Sequence, residues 1–121
     1  MRILKGKWFM RFAQRENIGD EILKGLVNQL NDGRVDADLG GGVYKQRLAR
    51  KEAGKSRGYR IIMFFKQGRL AFFIYGYAKS ERVNITPSEL GDFKKLAKTM
   101  LLMTDKEMDS VIGAGGYQEI L

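Results

Sequence analysis

The chain changes hydrophobic period along its length. Arg2 to Leu4 reads as a short edge strand, after which Trp8, Phe9, Phe12 and Ala13 recur at i, i+1, i+4 and i+5, the spacing of one helical face. Ile22, Leu23, Leu26, Val27 and Leu30 repeat that spacing behind Asp20 and Glu21. Asn31-Asp32-Gly33 ends the second helix, because glycine tolerates the left-handed backbone of a helix terminus. Both stripes are expected to face the core.

Asp38-Leu39-Gly40-Gly41-Gly42 reads as a flexible turn, and the missing GxxxxGK[ST] spacing argues against a phosphate loop. From Val43 the pattern becomes that of strands. Val43 to Leu48 is followed by a polar stretch, Arg50 to Gly58, that reads as a mobile basic loop. Tyr59 to Lys66 and Arg69 to Tyr77 flank the tight turn Gln67-Gly68, a β-hairpin signal. Both runs are apolar at successive positions, so they are expected to be central strands with helices packed on one side. Thr86-Pro87-Ser88-Glu89 predicts a helix start with a Thr cap, Pro in the first turn and a Glu closing the capping box. Thr104-Asp105-Lys106-Glu107 predicts another, running to about Ile112, before Gly113 to Gly116 loosen the chain ahead of Tyr117 to Leu121. The expectation is one α+β domain over residues 1–121: a strand, two helices, three antiparallel strands, then C-terminal helices.

Composition narrows the chemistry. The 121 residues include no Cys and no His, so disulfides, thiol nucleophiles, Cys/His zinc sites and imidazole acid-base catalysis are all excluded. No cofactor or metal is expected. The sequence has no 18-residue apolar span and no signal-like N-terminus, which predicts a cytoplasmic protein without membrane contact. The net charge of +8 is concentrated in one segment. Residues 43–82 carry eleven Lys and Arg against Glu52 and Glu81, whereas the remainder carries eleven basic and twelve acidic residues. A one-sided positive field of this kind attracts polyphosphates. Tyr44, Tyr59, Tyr75 and Tyr77 interleave the cations and could stack on bases.

Alternation along a strand puts Lys45 and Arg47 on one face, about 7 Å apart, and Tyr44, Gln46 and Leu48 on the other. If the next strand pairs alongside, Arg60 can join that surface, with Arg50, Lys51, Lys55 and Arg57 supplying further cations from the loop. Such a cluster suits metal-free cleavage of RNA. The adjacent 2′-hydroxyl attacks phosphorus, and preorganised guanidinium groups stabilise the charge that builds on the equatorial oxygens. A lysine whose pKa is lowered by neighbouring cations can take the hydroxyl proton, which makes Lys45 the candidate base and Arg47 and Arg60 the phosphate clamp. A module that only binds nucleic acid would carry the same residues.

Gly40-Gly41-Gly42-Val43-Tyr44-Lys45-Gln46-Arg47, Gly54-Lys55-Ser56-Arg57-Gly58-Tyr59-Arg60 and Phe73-Ile74-Tyr75-Gly76-Tyr77-Ala78-Lys79-Ser80-Glu81-Arg82 resemble the RelE/HigB superfamily of bacterial type II toxins, and the likeness covers nearly the whole chain. The resemblance implies a RelE/ParE-like α+β fold and an endoribonuclease that cleaves messenger RNA on the ribosome. It also implies a cognate antitoxin, commonly with a helix-turn-helix DNA-binding domain. Carried over by position, it adds Lys79 and Arg82 to Lys45, Arg47 and Arg60. The chain has Ser80 where better-studied members have an Arg, and Thr86 where they have a base-stacking Tyr, so the stacking role either passes to another aromatic such as Tyr77 or is absent. Gyrase-poisoning toxins of the ParE type share this architecture and form a second alternative beside the plain binding module. The apolar face carrying Met100, Met103 and Met108 is expected to be core before it is a docking surface.

Overall fold

The computed structural model describes the backbone of residues 1–50 and 54–121, and the side chains of the same residues except 54–57. Strand β1 (Arg2–Gly6) leads into helices α1 (Lys7–Arg15) and α2 (Asp20–Asn31). Four strands follow: β2 (Ala37–Gly40), β3 (Val43–Arg50), β4 (Gly54–Lys66) and β5 (Leu70–Ala78). Helices α3 (Pro87–Met100) and α4 (Asp105–Gly113) precede the last strand, β6 (Tyr117–Ile120). The protein is α+β, with a six-stranded, mostly antiparallel sheet in the order β2-β3-β4-β5-β1-β6.

Several expectations change here. β1 is not an edge strand: it lies between β5, to which it runs parallel, and β6. The presumed glycine turn begins with a strand, β2, and Gly40, Gly41 and Gly42 then turn the chain into β3 at φ values of 88°, 64° and 82°, a left-handed run that residues with a Cβ rarely adopt. β4 takes in residues 54–58 of the presumed basic loop. Tyr117 to Ile120 is a strand, paired with β1.

Helices cover both faces of the sheet, not one. Ile61, Met63, Phe65, Ala71 and Phe73 pack with Phe9, Phe12, Leu23, Leu26 and Leu30 of α1 and α2. Ile62, Phe64, Leu70 and Phe72 pack with Ala97, Met100 and Met108 of α3 and α4. The continuous apolar runs of β4 and β5 require this, because a strand with greasy side chains on both pleats must be buried on both. Met100 and Met108 are therefore core, and Met103 packs partly buried against them.

Both anticipated helix starts are present. Thr86 and Thr104 each accept a hydrogen bond from the backbone three residues on, and Glu89 and Glu107 reach back to close the capping boxes. Arg69, one of the segment's eleven cations, donates to the carbonyls of Leu101 (2.9 Å) and Met103 and so fixes the α3–α4 connection. Among the described residues no helix is long and apolar enough to cross a membrane.

Candidate active site

The sheet register brings the candidate cations together. Arg47 of β3 lies directly opposite Arg60 of β4, and Arg60 lies opposite Tyr77 of β5. One residue pair further along the same pleat, Lys45 faces Ile62, which faces Tyr75. Lys45, Arg47, Arg60, Tyr75 and Tyr77 thus share one face, the continuation of the surface that α3 and α4 cover lower down. Like charges directly opposite on neighbouring strands destabilise a sheet, so the Arg47/Arg60 pair is a departure of the kind concentrated at functional sites. Asp36 relieves part of it: its carboxylate accepts from the Arg47 backbone N–H at 2.7 Å and from Nη2 at 3.3 Å.

The connection from β5 to α3 supplies the rest of the site. Asn84, which nothing in the sequence singled out, accepts through Oδ1 from Lys45 Nζ at 3.1 Å, from Tyr77 OH at 3.4 Å and from the Ile85 backbone N–H at 2.8 Å. It links the lysine on β3 to the tyrosine on β5 and fixes the loop above them. Lys79 Nζ donates to the Val83 carbonyl at 2.9 Å in the same loop. Arg82 is held by Glu89, the capping-box residue of α3, and donates to Tyr75 OH at 3.1 Å. Its guanidinium lies 5.7 Å from the ring centres of both Tyr75 and Tyr77. The Arg82 hydrogen bonds hold the Glu89 carboxyl down to about 2. These contacts pack Arg82 against the two tyrosines and tie the loop to α3.

Partial burial, then the proximity of Lys79 and Arg60, lowers the pKa of Lys45 below that of an ordinary lysine. A larger fraction of free amine at neutral pH is what a general base needs. Arg60 is only 8% exposed and donates from Nη1 to the Tyr59 carbonyl at 3.3 Å, a rigid mounting for a guanidinium. Arg47, with a side chain 49% exposed, stands at the rim. Burial raises the pKa of Tyr77, although Arg60 and Arg82 oppose the rise.

Other candidates lie elsewhere. Tyr44 belongs to the opposite pleat and packs edge-on against Phe65, with ring centres 5.8 Å apart. Arg50 also turns to the α1/α2 side, where its guanidinium lies 5.6 Å from the Tyr59 ring centre and 3.8 Å from a Glu16 carboxylate oxygen. Both leave the cationic face. Tyr77 is on it but only 5% exposed, its ring flanked by Arg82 and Tyr75, so it forms floor more than a stacking platform. Lys51 lies outside the described residues, as do the side chains of Lys55 and Arg57.

Comparison with protein families supplies an independent line. A family model described as the RelE toxin of the RelE / RelB toxin-antitoxin system matches residues 1–120. Comparison with curated proteins gives no match.

Proposed function

Because the chain belongs to the RelE toxin family, the toxins of RelE / RelB toxin-antitoxin systems, we propose that it is an endoribonuclease that cleaves messenger RNA on the ribosome through the cationic face of β3, β4 and β5. Family membership gives it a cognate antitoxin as partner, and we assign that antitoxin a helix-turn-helix DNA-binding domain. The observation that carries the reading is the Arg47–Arg60–Tyr77 row across three adjacent strands, with Lys45 one pair away.

In the proposed reaction a ribose-phosphate linkage lies over this row. Lys45, as the free amine, removes the 2′-hydroxyl proton, and the 2′-oxygen attacks phosphorus. Arg60 and Arg47 hold the non-bridging oxygens and stabilise the charge that grows on them in the transition state. The bond from phosphorus to the 5′-oxygen breaks, and the departing oxygen takes a proton from the Lys79 ammonium. The products are a 2′,3′-cyclic phosphate and a 5′-hydroxyl. Asn84 sets the position of Lys45, and Arg82 sets the loop.

Primer extension on a reporter message after a short pulse of expression tests this. Wild type produces discrete cleavage sites and growth arrest, whereas Lys45→Ala lowers cleavage by about 10²–10⁴-fold, the usual contribution of a general base. The rate of wild type rises with pH as Lys45 loses its proton. The rising limb bends below 10.5, the value of an unperturbed lysine, because the folded environment disfavours the charged form. Lys45→Ala removes that rise. Arrest with intact transcripts contradicts the proposal and favours a gyrase target; no arrest favours binding alone.

A further inference from the structure

Trp8 is the only tryptophan in the chain, and the core does not use it. Its helical neighbours Phe9 and Phe12 are buried, but Trp8 is 71% exposed, contrary to the expectation that the whole stripe faces inward. It stands at the rim of a cleft of about 580 Å³ between α1 and β5. β1 pairs with β5 only as far as Phe73, and the cleft lies along the strand beyond that point. Arg11 and Arg15 follow Trp8 at i+3 and i+7, so all three line the cleft from one face of α1. Tyr77, Arg82 and Glu81 line it from the other side.

The cleft is lined by three arginines and Glu81, with Arg15 also paired to Glu16 at 3.3 Å and Arg82 to Glu89, and it shares Tyr77 and Arg82 with the cationic face. Arg60 is one strand spacing from Tyr77, about 5 Å. A polyanion whose scissile phosphate sits at Arg60 meets the cleft with its next unit. An exposed indole beside guanidinium groups is the pairing that holds unpaired bases, the ring stacking and the cations taking the backbone. Resting on the RNA-cleaving reading above, we infer that this cleft receives the unpaired nucleotide beside the scissile linkage, with Trp8 stacked on its base and Arg11 and Arg15 on its phosphate.

A short unstructured RNA, end-labelled and 2′-O-methylated throughout so that it cannot be cut, is titrated into the full chain while Trp8 emission and label anisotropy are recorded together. Saturable quenching of Trp8 is expected at the same midpoint as the anisotropy change. Trp8→Ala weakens binding about tenfold, as loss of one base stack does, and Trp8→Phe retains most of the affinity. Arg11→Ala combined with Arg15→Ala flattens the salt dependence. Binding that depends on Arg60 but leaves Trp8 emission and the Trp8→Ala midpoint unchanged overturns this inference and spares the proposed function. Absence of binding by wild type overturns it too, with message cleavage reading the parent proposal separately. Emission that responds to the antitoxin and not to RNA reassigns the cleft to protein recognition and likewise overturns it.

Discussion

Replacing Arg60 by alanine is expected to lower RNA cleavage by about 10²–10³-fold, the range seen when one preorganised charge-stabilising donor is removed from an active site. The size follows from placement. Arg60 sits at the centre of a three-strand row, nearly buried, between Arg47 and Tyr77. A donor fixed in a water-poor site needs no reorganisation as charge develops on the phosphate, so its effect exceeds that of an exposed cation. Arg60→Lys keeps the charge but loses the planar fork that grips two oxygens, and should recover only part of the rate. Arg47→Ala should cost less, because that side chain stands half exposed at the rim and is already engaged by Asp36. Rates on one RNA, with thermal unfolding of each variant to verify folding, give the comparison. Equal losses at Arg47 and Arg60, or none at Arg60, would contradict the assigned geometry.

Ile61→Ala and Ile62→Ala should each destabilise the fold by about 2–5 kcal/mol, the range for deleting a buried aliphatic side chain down to alanine. These adjacent residues point to opposite faces of β4, and both are fully buried. Ile61 belongs to the core under α1 and α2, Ile62 to the core under α3 and α4. A sheet covered on one face alone would make one of the two substitutions nearly neutral. Denaturant unfolding of both variants decides the matter, and a large asymmetry would count against the two-layered cover.

What could be read in the sequence was what local chemistry determines. The capping boxes at Thr86 and Thr104, the Gln67-Gly68 turn and the alternation that puts Lys45 with Arg47 depend on residues a few positions apart, and all appear as expected. The features that were missed depend on distant partners. β2 and β6 are four residues long; β2 contains an aspartate and a glycine, and each strand exists because a longer neighbour offers it a ladder. Two apolar pleats on β4 and β5 already called for cover on both faces, an implication that the expectation of one-sided packing left unused. Trp8 fits a helical stripe equally well as core or as rim, since adjacent positions on a helix diverge by about 100°. Asn84 carried no signal at all, because an isolated asparagine in a loop gains meaning only when Lys45 and Tyr77 arrive from other strands. Arg60 was the intermediate case: its chemistry was legible, and its facing waited on register.

The most direct test of an RNA-cleaving cationic face is a pair of otherwise identical RNAs, one with ribose and one with a single 2′-deoxyribose at the cleavage position. The account predicts equal binding by both, scission of the first to a 2′,3′-cyclic phosphate and a 5′-hydroxyl, and none at that position in the second. Scission of the deoxy-substituted linkage, or a product with a 5′-phosphate, would contradict it.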